Sequence, residues 1–270
     1  MIGRLLGERG VGQPSRAALA LLWLALLFLV GPFAVVFIAG FSGDETLAFP
    51  PRSWSLRWLL HVFTVESFQR SFITSIAVGV GSMLGALALG VPVAYALSRH
   101  RVPGQELVRT LLTLPLIVPG IIVGLALLNH MVLLYNLPVL ASLLMGHTAL
   151  LVPYAVRVVG ASLANLRTDI DDAAVTLGAT KLQAFTKVVL PNIRGGIAAA
   201  AVLAFITSFN QVPVSLFLTG PGVSTLPIEM MSYMETSYDP SIAALSTLLV
   251  LMTILVVAAT EKLLGISRYV

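Results

Sequence analysis

The sequence predicts an all-α, polytopic membrane protein with six transmembrane helices. Three observations lead there. Of the 270 residues, 57% are hydrophobic and only 10% charged, with a mean hydropathy of +0.96; a soluble domain averages about 25% charged residues. The apolar residues form runs long enough to cross a bilayer core of roughly 30 Å. Lys and Arg concentrate in alternate loops between those runs, the asymmetry that orients membrane proteins.

The first run, residues 17–41, follows a tail carrying Arg4, Arg9 and Arg16. It is longer than the roughly 7–15-residue core of a signal peptide, so a retained first span is expected. Gly31-Pro32 near its middle is tolerable in a membrane helix. Residues 42–70 are polar, with Asp44, Glu45, Pro50 and Pro51. Trp54 and Trp58 there suit either a short helix at the membrane interface or a loop anchored by two tryptophans. Span 2, about 71–98, holds the small-residue pair Gly81 and Gly85, a spacing that lets helices approach closely in lipid. Span 3, about 107–134, carries Pro115, Pro119 and Gly120 in its first half and should be kinked or broken there. Span 4 is about 141–164 with Pro153 inside, span 5 about 196–218, and span 6 about 241–264. Residues 219–240 read as a turn-rich loop. This divides the chain into residues 1–66 (tail, first span, outer segment) and a five-span core over 67–270.

Six spans put both termini on one side. With the N-terminus inside, 13 of the 16 Lys and Arg fall on that side and only Arg52, Arg57 and Arg70 outside. Both termini, and the polar segment between spans 4 and 5, are therefore expected in the cytoplasm. The net charge of +4 is modest, and no nucleic-acid partner is expected; the lipid bilayer is the surrounding medium. There is no cysteine, hence no disulfide framework. No G-x-x-x-x-G-K-[ST] pattern occurs, so the chain should not hydrolyse ATP.

The segment over 169–197 is organised differently from the rest. Thr168 is a candidate N-cap, with Asp169, Asp171 and Asp172 complementing the helix dipole in the first turn. Gly178 fits the left-handed residue that ends a helix. Thr180 and Gln183 form a capping box that opens a second helix, with Leu182, Phe185, Val188 and Val189 expected on one face, and Leu190-Pro191 ends it. Two roles fit this helical pair: packing on its own bundle, or docking into a groove of another protein through its small-residue face at Ala173 and Ala174.

In span 5, Ser208, Asn210 and Gln211 are polar groups at membrane depth, with Pro213 close by. Such groups either line a pathway or hydrogen-bond neighbouring helices. Asn129, His130 and His147 are single polar groups near outer span ends, and no metal site is expected from them. No catalytic residue is expected: no span carries a paired carboxylate or a nucleophile with its base. A self-contained carrier or channel is the alternative, but it would need ionisable groups deep in the spans, and residues 71–98 and 196–218 hold no Asp, Glu, Lys, Arg or His.

Asp172-Ala173-Ala174, Gly178 and Leu190-Pro191 together resemble the "EAA" signature of binding-protein-dependent ABC importer permeases, with Asp for Glu at 172 and Val for Ile at 188. The six-span layout extends the resemblance over nearly the whole chain. Gly220-Pro221-Gly222, Thr225-Leu226-Pro227 and the region around Trp54 and Trp58 are similar to its spermidine/putrescine-type branch. The resemblance implies a multi-pass subunit of a bacterial inner membrane. It implies that residues 168–191 are coupling helices seated in cytoplasmic ATPase subunits, with contacts at Asp172, Ala173, Ala174, Gly178, Leu190 and Pro191. It further implies a second permease subunit, a different chain, and an extracytoplasmic solute-binding protein. ATP and Mg would be bound by the ATPase, and no cofactor by this chain. The branch often has an acidic pair where this chain has Asn210-Gln211, so polyamine-, opine-, amino-acid- and phosphonate-like solutes all remain open.

Overall fold

The computed structural model describes residues 15–100 and 103–264; Arg4, Arg9, Arg101 and Arg268 of the charge pattern lie outside them. The described residues are nearly all helical, with two isolated β-bridges and no named strand. In chain order the helices are α1 (Arg16–Ala39), α2 (Arg57–His61), α3 (Glu66–Arg99), α4 (Gln105–Ile117), α5 (Gly120–Leu127), α6 (Val139–Ala164), α7 (Asp169–Thr176), α8 (Lys181–Ala184), α9 (Leu190–Asn192), α10 (Arg194–Phe209), α11 (Ser215–Leu218), α12 (Leu226–Thr236) and α13 (Ser241–Leu264). Two π-helical turns, Leu128–Leu134 and Phe185–Val189, extend α5 and join α8 to α9. Helices dominate because a chain in lipid must satisfy every backbone group internally. Among the described residues, four helices are long and apolar enough to cross a membrane, or up to six if each of two sharply bent pairs is one span.

The chain divides into two compact units. One comprises residues up to Val62 together with Tyr238–Leu251. In it α1 presents an exposed, apolar surface along most of its length. The segment after α1 is organised by Trp58, which is buried and donates its indole N–H to the Asp44 carbonyl at 2.8 Å. Trp54, in contrast, is exposed and pairs by backbone with Ser42. A single tryptophan anchors this segment, and α2 begins only at Arg57. Arg57 grips Glu45 through two hydrogen bonds of 2.7 and 2.9 Å, which hold the Glu45 carboxyl below its ordinary pKa.

The other unit comprises Phe63–Ser237 and Met252 onward. Its frame is α3 against α6, with α10 packed on both. At 34 residues α3 is about 51 Å long, more than a bilayer core requires. The close approach of α3 and α6 rests on glycine: a Cβ on Gly81 would lie 2.6 Å from the Leu144 side chain, one on Gly85 3.0 Å from Thr148, and one on Gly90 2.6 Å from the Ala155 Cβ. The glycine pair read from the sequence thus has its packing partner in α6. Three buried clusters run along this seam. Val78, Leu143 and Val214 belong to one, Ala86, Leu151 and Ala204 to the second, and Val91, Leu163 and Val189 to the third.

Span 3 is broken, as expected: α4 and α5 meet at 97°, because Val118 is extended before Pro119, with Pro115 in the last turns of α4. Span 5 and the loop after it differ from expectation. Span 5 is not one helix. α10 stops at Phe209, and residues 210–214 separate it from α11, since Pro213 has no N–H to continue the ladder. The region 219–240, expected as loop, contains α12, with Pro227 in its first turn where a proline is tolerated.

Candidate functional site

The site grows from the end of α3. Arg99 reaches across to the turn after α6, where its Nη2 donates to the Leu166 carbonyl at 3.1 Å and to the Arg167 carbonyl at 3.4 Å. Its Nε stands 3.3 Å from Asp171 Oδ2, with side chains only 6% and 14% exposed. The Tyr95 hydroxyl donates to the same carboxylate oxygen at 3.1 Å. The Tyr95 ring packs against Phe185, in the π-helical turn, with centroids 4.6 Å apart and planes tilted by 47°. Arg99, Tyr95 and Asp171 therefore clamp α7 and the π turn onto the ends of α3 and α6. Below them Val189 and Ile193 are buried in the cluster with Val91, Val159 and Leu163.

The turn at the tip has the form that the sequence anticipates. Gly178 has φ +94°, the Gly178 N–H donates to Val175 O at 2.9 Å, and the Ala179 N–H to Ala174 O at 3.0 Å. This is the paired hydrogen bonding of a Schellman stop. The Thr180–Gln183 capping box forms in both directions, at 2.9 and 3.2 Å. Thr168 does not cap α7. Its backbone is already helical and its side chain makes no cap hydrogen bond. Asp169 pairs instead with Arg167, which lowers its carboxyl pKa.

The expected face of the second helix is rearranged. Leu182 is exposed, while Ala184, Val189 and Ile193 are buried. The π turn over Phe185–Val189 accommodates an extra residue and shifts the phase of the helix, so a 3.6-residue period misplaces Leu182. The chain then bends by 73° between the arm Lys181–Asn192 and α10.

Asp172, Ala173, Gly178 and Pro191 are exposed, and Ala174 is half-buried. Leu190 faces the other way, packing against the buried cluster of its own bundle. Leu177, which sequence reasoning did not single out, is 88% exposed at the tip, with Val175 and Leu182 also exposed. Three large apolar side chains on a polar protrusion form a surface suited to a protein partner.

The polar residues of span 5 separate into two groups. Ser208 is buried, with its Oγ 2.8 Å from His147 Nδ1. His147 Nε2 lies 3.0 Å from Ser215 Oγ, and His147 is 1% exposed. In a neutral imidazole one ring nitrogen donates and the other accepts, so both serines are satisfied. His147 thereby braces α6 to both sides of the break between α10 and α11. It is no isolated outer-end group, and Ser208 is committed to the brace. Asn210 is exposed, with its amide donating to Ile206 O at 3.0 Å, and Gln211 is half-buried beside it. Arg99–Asp171 and His147–Ser208–Ser215 escaped sequence reasoning because their members are far apart in the chain; burial of a polar side chain in an apolar bundle was the only available signal.

The profile of one protein family, described as the binding-protein-dependent transport system inner membrane component, matches residues 86–265. The chain is similar to a probable ABC transporter permease protein, y4oR, of Sinorhizobium fredii: 30% identical over 234 residues, covering 83% of each. It is 29% identical to the putrescine transport system permease protein PotI of Escherichia coli, over 86% of this chain and 84% of that one. In fold it is similar to a bacterial ABC transporter chain involved in the import of the acidic polysaccharide alginate. The TM-score there is 0.70 at 18% identity, covering 93% of this chain and 99% of that chain.

Proposed function

Because this chain belongs to the family of binding-protein-dependent transport system inner membrane components, we propose that it is the membrane subunit that couples ATP hydrolysis on partner subunits to solute import. The observation that carries the coupling reading is the α7–α8 protrusion. Its tip exposes Leu177, Val175 and Leu182 for a partner, and its base is fixed to the bundle by Arg99, Tyr95 and Asp171. An element that is exposed at one end and clamped at the other transmits displacement instead of absorbing it. Asp172, Ala173, Gly178 and Pro191 lie on the docking side, in the cytoplasm, as the concentration of Arg and Lys at that end favours. Leu190 serves as core.

The assembly has two cytoplasmic ATPase subunits that bind ATP and Mg, a second and different permease chain, and an extracytoplasmic solute-binding protein. The setting is a bacterial inner membrane. The cargo is a small polyamine-like solute, a reading supported by the likeness to a putrescine permease. The neutral pair Asn210-Gln211 at the break in span 5 favours opine- and amino-acid-like solutes as the second reading, since it supplies no charge to hold a polyamine cation.

The test is reconstitution of the full complex in proteoliposomes, with ATP-dependent uptake of labelled putrescine measured beside labelled amino acids. Uptake should require ATP, and Asp172→Arg should lower it by about tenfold or more, the effect of roughly 1.4 kcal/mol at a contact surface. Uptake that is unchanged in Asp172→Arg would overturn the assignment of this face.

A further inference from the structure

A cavity of about 710 Å³ opens at the same end of the bundle as the α7–α8 protrusion, between the last turns of α3, the first half of α4 and the second half of α6. Its volume lies within the roughly 300–1,000 Å³ range of small-ligand sites. Arg99, His100, Arg109 and Arg157 line it, and among the described residues no Asp or Glu does. Arg99 is occupied by Asp171 and two backbone carbonyls. Arg109 and Arg157 are different: among the described residues, neither has a carboxylate within salt-bridge distance. The remainder of the wall is largely apolar, including Leu112, Pro153 and Val156.

We propose that this cavity binds the phosphate headgroup of an anionic membrane lipid. Two guanidinium groups with no ion pair among the described residues offer planar, forked donors matched to phosphate oxygens. Basic pockets between membrane helices at the cytoplasmic side are suited to anionic headgroups. The apolar wall of Leu112, Pro153 and Val156 takes the glycerol end and the first part of the acyl chains. A soluble anion would use the arginines but gain nothing from that wall. An acidic peptide would have to bury its polar backbone against it, so lipid is the occupant that satisfies both features.

The test uses the full chain in its complex, equilibrated in mixed micelles containing phosphatidylglycerol and phosphatidylcholine, with retained lipid measured by native mass spectrometry. The wild type should retain phosphatidylglycerol in preference to phosphatidylcholine. Arg109→Gln with Arg157→Gln should reduce that retention by about tenfold, the loss of one strong charged contact, and leave phosphatidylcholine unchanged. Arg109→Lys with Arg157→Lys, which keeps the charge but not the fork, should fall between. Lys187→Gln with Arg194→Gln, basic residues at the same end that do not line the cavity, should have no effect. Four results would overturn the proposal: equal retention of both lipids by the wild type, unchanged retention in the Arg109/Arg157 variant, equal loss in the Lys187/Arg194 variant, or full displacement by millimolar inorganic phosphate, which would indicate a soluble-anion site. If the glutamine variant fails to elute as a folded complex, the wild-type lipid preference and the lysine variant decide the matter.

Discussion

Asp171→Ala is expected to cut ATP-driven uptake by about tenfold or more while ATP hydrolysis by the assembled complex continues. The reason is the state in which it leaves Arg99. That side chain is 6% exposed, and Asp171 is the carboxylate it pairs with. Breaking such a pair by removing one partner costs roughly 3–5 kcal/mol when the remaining charge stays buried. The clamp gives way sooner than the bundle, because α3 and α6 are held along their whole length by apolar packing. α7 then moves away from α3, and displacement of the tip no longer reaches the spans. Asp171→Asn keeps an acceptor for the Tyr95 hydroxyl and should lose less. Replacing both partners with apolar residues, Arg99→Met with Asp171→Leu, should recover part of the loss, because no uncompensated charge remains. Uptake and hydrolysis measured on one preparation separate this outcome from failure to assemble.

The second large effect is expected at Gly178. Its φ of +94° is a conformation that side chains with a Cβ rarely adopt, and nothing lies within 4 Å of where a Cβ would be. The penalty for a larger residue is therefore conformational and not steric. Gly178→Val should distort the Schellman turn at a cost of about 1–2 kcal/mol, change the angle between α7 and α8, and reduce uptake per ATP hydrolysed by about tenfold. Gly178→Asn, which tolerates positive φ, should retain most of the coupling. If Asn and Val behave alike, the backbone angle is not what matters there.

Legibility in the sequence followed the range of the interactions. The Schellman glycine and the Thr180–Gln183 box are made by residues three to five apart, so spacing alone specified them. Pro115 and Pro119 announced a break in span 3, though not its 97° angle, which depends on what α4 packs against. Thr168 looked like a cap because of its chemistry, but Arg167 and Asp169 pair around it and the chain enters α7 already helical. Leu182 looked like core because a helical period was assumed where the chain makes a π turn. α12 was read as loop because the turn signals Gly220-Pro221-Gly222 and Asp239-Pro240 bracket it, and the helix between them is short. The clamp and the brace were beyond reach. Arg99 read as a basic span end and Asp171 as one of three first-turn acids, and only the folded chain brings them together, with 61 residues likewise separating His147 from Ser208.

The central claim is that the tip around Gly178 is held in a partner ATPase subunit. The chain contains no cysteine, so Leu177→Cys gives a single thiol at a highly exposed point of the tip. Cross-linking that thiol in the assembled complex with a short bifunctional reagent, with and without ATP, tests the claim most directly. The account predicts a covalent adduct with the ATPase subunit whose yield changes when ATP binds. An unmodified ATPase, with the thiol freely labelled by a bulky maleimide in the intact complex, would contradict it.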